Sequence, residues 1–184
     1  MNNEDIFIAN GILWSSCKGL YKEILMKLAS SYNIEQVVIY NLKNSYANFI
    51  IGCYQHDEDV MSDGYIDEKI NRLLQDDNTM IVAFTLAITN PQYRYSSKGI
   101  LQCVQARMLK ESVRKDFSNK IDNYFLDNII HMADNSDESR ILERLFNQYE
   151  KYAIKGCLFE EYDPRYALSL YKDDLHTSMD REDK

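Results

Sequence analysis

The sequence predicts an α/β domain in which helices cover a four-stranded antiparallel sheet. Short β-branched or apolar segments alternate with segments whose apolar residues recur every three or four positions. Two prolines and six glycines are few for 184 residues, so we expect regular elements without long linkers. This order of elements suggests the ferredoxin-like arrangement of split βαβ units, and the order alone also permits other α/β folds.

The first third of the chain predicts a strand, a helix and a second strand. Residues 5–9 (DIFIA) are expected to form a short buried strand, and Ser15 or Ser16 to cap the helix that follows. The apolar face of this helix comprises Leu20, Ile24, Leu25 and Leu28. Residues 35–42 (EQVVIYNL) are β-branched and predict the second strand, whereas periodicity does not assign the apolar run 48–54.

The middle of the chain predicts two helices around a third strand. Residues 66–76 have helical apolar spacing, and residues 79–86 (TMIVAFTL) form the clearest strand pattern. A further helix is expected after Ser96 and Ser97, with Arg107 projecting away from its apolar stripe. That stripe comprises Ile100, Leu101, Val104, Met108 and Leu109.

The last third predicts a short strand, a helix and a C-terminal extension. Residues 128–131 (NIIH) are expected to be the strand, and several cap residues precede a helix over 139–152. The core-facing residues of that helix are predicted to be Ile141, Leu145, Phe146 and Tyr149. We therefore predict a domain over 1–152. We expect residues 153–184 to form an extension that wraps the domain or a neighbouring subunit and ends in a disordered polar tail.

Composition restricts the classes of function. The net charge of −8 argues against a broad nucleic-acid interface but permits a local basic pocket for one nucleotide. No apolar run approaches the roughly 20 residues that cross a bilayer, and the acidic N-terminus differs from a secretion signal. The four cysteines lie far apart, as expected for reduced core thiols. A cytoplasmic protein with a small-molecule partner and no membrane partner is the expectation.

Among the three histidines, His131 is the strongest candidate for chemistry. It ends an apolar segment and precedes a capped helix, whose free N–H groups favour anions. His176 falls in the predicted tail. His56 lies in QHDEDV, where acids near a histidine are more often a solvated loop than a metal site. A structural histidine is the competing interpretation of His131.

The segments around His131 resemble the nucleoside diphosphate kinase family. SVRKDF contains Arg114, DNIIH contains Asn128 and His131, ADNSDES contains Asp134, and ERLF contains Glu143. These blocks are similar, in order, to family segments that hold an arginine, the catalytic histidine and a helical glutamate. KGLYKEIL and YIDEKINRLLQDDNTMIVAFTL are similar to further family segments, so the resemblance spans about residues 5–150.

The resemblance implies ping-pong transfer of a γ-phosphoryl group through a phosphohistidine at His131. Glu143 would orient the imidazole, Asn128 would contact the ribose, and Arg107 and Arg114 would bind phosphates. The cofactor implied is Mg²⁺ carried by the nucleotide, with Asp134 the one protein residue that it would approach. Nucleoside tri- and diphosphates would be the substrates, and a homo-oligomer is expected.

Two tyrosines complete the implied nucleotide site. Tyr54 matches a position beside the nucleotide and Tyr65 the aromatic residue that stacks on the base. In a chain with fourteen tyrosines, packing is at least as good an explanation for both.

The sequence departs from the family pattern at three places. No lysine precedes Lys18, although the family has a phosphate-binding lysine after its first strand. Only MLKESV separates Arg107 from Arg114, so the family's long loop is absent, and Met132 and Ala133 replace Gly-Ser after the histidine. The missing lysine and loop favour the alternative of a catalytically weakened nucleotide sensor or assembly module. The joint presence of His131, Asn128, Arg114 and Glu143 favours the active enzyme. A third possibility is a fold that binds no nucleotide.

Overall fold

The computed structural model describes residues 5–57, 61, 64–75, 78–122, 124–125 and 127–154. Most of the predicted extension, including His176, lies outside the described residues, so its proposed wrapping and disorder stay predictions. None of the helices in the described ranges is long and apolar enough to cross a membrane.

Four strands form the antiparallel sheet that the sequence predicts. The described residues form six strands, which are β1 (Ile6–Leu13), β2 (Asn33–Asn41), β3 (Met80–Thr89), β4 (Tyr93–Tyr95), β5 (Leu101–Cys103) and β6 (Ile130–Met132). The sheet has the order β2-β3-β1-β6, and each neighbouring pair is antiparallel. This is the ferredoxin-like order, and the fold-class prediction is confirmed. Strands β4 and β5 form a separate hairpin.

Helices cover both faces of the sheet. They are α1 (Tyr21–Ser31), α2 (Tyr46–Tyr54), α3 (Tyr65–Leu73), α4 (Val104–Phe117) and α5 (Ser136–Gln148). Buried residues of α1 and α4 pack on one face, and those of α2, α3 and α5 pack on the other. Two apolar cores therefore enclose the central strands, and β6 forms one edge of the sheet.

The first strand is longer than predicted, and neither proposed serine caps a helix. β1 continues to Leu13 because its backbone pairs with β3 up to Val82. The Ser15 hydroxyl lies 2.7 Å from the Tyr46 hydroxyl, and the Ser16 hydroxyl donates to the Asn128 carbonyl. The unassigned run 48–54 is part of α2.

The predicted helix after Ser96 and Ser97 is wrong at its start. Residues 93–103 form the β4–β5 hairpin, in which Gly99 has a φ of 74°. The helix begins at Val104, so Leu101 belongs to a strand, and Met108 is 64% exposed instead of facing the core. Arg107 projects into solvent as predicted, with its side chain 53% exposed.

The last predicted helix starts earlier than expected. Asn135 is its N-cap, and its side chain accepts a hydrogen bond from the Glu138 amide at 2.9 Å. Leu142, which the predicted core face omitted, is fully buried, whereas Ile141 is half-buried. This earlier start brings the first turn of α5 beside β6.

Candidate active site around His131

His131 lies at the centre of the short edge strand β6. Its backbone is paired with Ile12 of β1, and the residue is only 6% exposed. The imidazole lies edge-on to the Tyr54 ring, with centroids 4.8 Å apart, and 6.5 Å from the Trp14 ring. Burial, followed by the nearby charge of Lys110, holds the His131 pKa well below its usual 6.5. The imidazole is therefore neutral at pH 7.

Glu138 is the carboxylate that faces His131. Its Oε1 lies 3.5 Å from His131 Nε2, beyond the usual hydrogen-bond length, and the other oxygen accepts from the Asp134 amide at 3.2 Å. Glu138 is the third residue of α5 and, with Asn135, resembles a capping box. Burial raises the pKa of this carboxyl group. Helix capping thus places Glu138 at the histidine.

The position of Glu143 does not fit its predicted role. Its side chain is exposed and lines a different cleft, together with Ile6, Ile8 and Arg140. Residues 138 and 143 are five apart, so they lie on different faces of the helix. Glu138 is on the face that points toward β6. The Glu138–Asn135 capping pattern is the sequence signal that would have identified it.

A cleft of about 810 Å³ lies between α4, α5 and the β4–β5 loop. Helix α4 contributes Arg107, Lys110 and Arg114 to its wall, and the first turn of α5 contributes Glu138. The side chains of residues 107, 110 and 114 share one helix face because their spacing is three and four. The cleft is therefore lined by both basic and acidic side chains, Glu111 of α4 among them. His131 does not line it and lies behind Glu138, 3.5 Å from that carboxylate.

The three cations of α4 that line the cleft already have partners. Arg107 Nε lies 3.0 Å from Glu111, and Arg114 Nη1 lies 3.0 Å from Asp127 Oδ2. Lys110 Nζ lies 3.0 Å from Asp134 Oδ2 and donates to the Met132 carbonyl at 2.9 Å. An anion entering the cleft would have to compete with these partners.

A buried lysine that sequence reasoning missed lies beside His131. Lys69 of α3 is 1% exposed, and its Nζ lies 5.1 Å from the Tyr54 ring centre and 5.5 Å from that of Trp14. Burial lowers the pKa of Lys69 from 10.5 to about 7. Lys18, the lysine closest to β1 in sequence, is exposed and does not line the cleft. No local pattern indicated Lys69, because it is one of four charged residues on a short amphipathic helix.

The other predicted nucleotide contacts lie in different places. Asn128 is buried, and its Oδ1 accepts from the Phe125 amide at 3.3 Å. It lines a separate cleft of about 340 Å³ with Arg72 and Lys120, so it does not line the cleft that contains Glu138. Tyr54 stacks on Trp14 and packs against His131, and half-buried Tyr65 lies 5.9 Å from Lys69 Nζ.

Asp134 does not fit the predicted approach to a metal ion. One carboxylate oxygen pairs with Lys110, and the other accepts from Gln102 Nε2 at 3.0 Å. Among the described residues, no group of three histidine, cysteine, aspartate or glutamate side chains is arranged to hold a metal ion. The buried Asp134 carboxylate instead balances the charge of Lys110.

Solved nucleoside diphosphate kinases have a similar fold. The enzyme from Aquifex aeolicus matches with a TM-score of 0.51 and 14% identity, over 82% of this chain and 100% of that chain. The enzyme from Borrelia burgdorferi, with bound vanadate and ADP, matches with a TM-score of 0.53 and 11% identity, over 86% and 92%. No family model matches the sequence, and no curated protein is similar to it in sequence. The chain therefore has a nucleoside diphosphate kinase-like fold.

Proposed function

We propose that this protein transfers a γ-phosphoryl group from a nucleoside triphosphate to a nucleoside diphosphate through His131. The observation that carries the proposal is the neutral imidazole of His131 facing the Glu138 carboxylate, which lines a cleft together with Arg107, Lys110 and Arg114. The nucleoside diphosphate kinase-like fold supports it.

The first half-reaction uses the two ring nitrogens of His131 differently. Nε2 faces Glu138, which leaves Nδ1 for attack on the γ-phosphorus. A P–N bond forms while the bond to the bridging oxygen breaks, and the diphosphate leaves with the electron pair. The carboxylate of Glu138 stabilises the proton that stays on Nε2. Attack by an acceptor diphosphate oxygen reverses these steps.

The cations of α4 provide electrostatic stabilisation. Phosphoryl transfer depends on positioning and on neutralising the equatorial oxygens, and Arg107, Lys110 and Arg114 line one wall of the cleft. Mg²⁺ would enter as part of the nucleotide complex, with phosphate oxygens as its ligands. The proposal assigns it no protein ligand.

A second candidate function is nucleotide binding without transfer, in a sensor or an assembly module. The burial of His131, at 6% exposed, favours it, because a nucleophile must reach the γ-phosphorus. The ion pairs that engage Lys110 and Arg114 also favour it. In this case the cleft would bind a nucleotide without forming phosphohistidine.

The test is incubation of the protein with γ-labelled ATP and Mg²⁺. Wild-type protein should acquire acid-labile, base-stable label and transfer it to added diphosphates. His131→Ala and His131→Gln should acquire none, whereas His176→Ala, which changes the histidine of the C-terminal extension, should be labelled normally.

The outcomes separate the two functions. Bound ATP with no label on the wild-type protein would contradict the phosphotransferase and support the binding module. Absence of both label and ATP-induced thermal stabilisation would contradict both.

A further inference from the structure

Lys69 and His131 are linked through the same two aromatic rings. Tyr54 packs edge-on against the imidazole at 4.8 Å and lies 5.1 Å from the Lys69 ammonium. Trp14 lies 6.5 Å from the imidazole and 5.5 Å from the ammonium. The two residues come from α3 and β6, so only the packed domain places them at one aromatic cluster.

The buried surroundings of Lys69 destabilise its protonated, positively charged form. The side chain is 1% exposed, and three ring faces approach the ammonium, from Trp14, Tyr54 and Tyr65. Ring faces attract a cation, but burial penalises it more strongly, and the Lys69 pKa falls to about 7. The lysine is thus partly neutral near pH 7.

Charged and titratable groups reach Lys69 from several elements. Asp127 favours its protonated form, and its carbonyl accepts a hydrogen bond from Nζ at 3.4 Å. Arg114 of α4 opposes protonation, and Cys53 of α2 favours it. Lys69 in turn is one of the cations that disfavour protonation of His131.

We propose that Lys69 is a positioning residue that acts through His131, and that its ammonium balances the charge of the phosphoryl group on the imidazole. This inference rests on the proposed phosphotransferase function. A phosphoryl group brings nearly two negative charges to an almost buried ring. A neutral Lys69 amine then takes one proton from a buffer acid in the solvent. An N–H bond forms, the acid's bond to that proton breaks, and its conjugate base stays in solution.

The experiment compares wild type with Lys69→Met, which keeps an unbranched side chain of similar length without the charge. Lys22→Met, on the exposed face of α1, is the matched control. Each protein is phosphorylated in two ways, with γ-labelled ATP at a set ratio of ATP to ADP and with phosphoramidate, a nucleotide-free phosphoryl donor. The fraction of phosphohistidine is measured between pH 6 and 9, and thermal unfolding confirms folding.

Lys69→Met should lower the phosphorylated fraction by about tenfold or more at pH 7, while Lys22→Met should match wild type.

The pH profile distinguishes a charge-balancing role of Lys69 from a packing role. In wild type the ratio of phosphorylated to free protein should fall with rising pH above about 7, by up to about tenfold per pH unit, because phosphorylation takes up a proton. Lys69→Met should lack this additional pH dependence.

A Lys69→Met protein with the wild-type fraction and pH profile would overturn the inference. So would a lower fraction with an unchanged pH profile, because that pattern indicates a packing role. If phosphoramidate labels His131 and ATP does not, the proposed function fails, and the comparison with phosphoramidate still decides the role of Lys69. If neither donor labels His131, both proposals fail.

Discussion

At the scale of single residues, the chemistry depends on which carboxylate faces His131. Glu138 and Glu143 lie on the same helix, and only Glu138 comes within 3.5 Å of the imidazole. Its position follows from the Asn135 cap, which sets where α5 begins relative to β6. A residue that completes a helix cap is thus also the candidate partner of the proposed nucleophile, His131.

Glu138→Gln should reduce phosphohistidine formation by about 10- to 100-fold. Glutamine keeps the side-chain oxygen that accepts from the Asp134 amide, but it has no charge to stabilise the proton on Nε2. Labelling with γ-labelled ATP in single-turnover mode measures the effect.

The matched control is Glu143→Gln, which changes an exposed carboxylate on the same helix. Its labelling rate should stay within about twofold of wild type. Equal losses in the two variants would argue against a specific role of Glu138.

At the scale of secondary structure, one glycine determines how β1 packs on β3. A Cβ atom at Gly11 would lie 2.3 Å from the Phe84 ring, although no positive φ requires glycine there. Phe84 is buried in the core beneath α1 and α4, so its ring has little room to move. The close approach of strand backbone and ring therefore requires the absence of a side chain.

Gly11→Ala should lower the free energy of unfolding by about 1–3 kcal/mol, the usual cost of overpacking a core. Gly19→Ala is the control, because a Cβ atom at Gly19 meets nothing within 4 Å. Urea denaturation followed by circular dichroism measures both variants. A Gly11→Ala protein as stable as Gly19→Ala would show that Phe84 moves aside at little cost.

The β4–β5 hairpin shows how tertiary context overrides periodicity. Ile100 and Leu101 continue the helical spacing of α4, yet Leu101 pairs with Tyr95 in a strand. The Ile100 amide donates to Ser96 Oγ at 3.1 Å, and Gly99 adopts a left-handed conformation that a right-handed helix excludes. The spacing of apolar residues alone does not predict this turn.

At the scale of the whole molecule, several large apolar side chains stay exposed in one region. The hairpin carries Tyr93, Tyr95, Ile100 and Leu101, which are 45–70% exposed, and Phe7 of β1 packs against Tyr93 at 6.4 Å. Exposed apolar patches commonly mark protein interfaces. This surface is compatible with the homo-oligomer that the sequence resemblance implies.

We predict that the protein self-associates. Light scattering should give at least twice the chain mass of 21.6 kDa. Tyr95→Lys, at a 70% exposed hairpin residue, should shift the protein toward monomer because it places a charge in the apolar patch.

Met26→Lys is the matched control, since Met26 is 51% exposed on α1, away from the hairpin. Its mass should equal that of the wild type. A wild-type mass near 21.6 kDa would contradict the prediction.

Local sequence patterns predicted most strands and helices and identified His131 as the candidate catalytic residue. Alternating and helical apolar patterns are local, so β2, β3 and α3 were predicted within a few residues of their observed bounds. The resemblance around His131 also implied the fold that the solved nucleoside diphosphate kinases share.

The side chains that surround His131 are set by tertiary packing. Lys69 and His131 are far apart in the sequence. Packing of α2 and α3 on the sheet places both side chains next to the rings of Trp14 and Tyr54. The choice of Glu138 over Glu143 likewise depends on where α5 begins and how it packs against β1 and β6. Such contacts arise from packing between distant segments, and local sequence patterns do not record them.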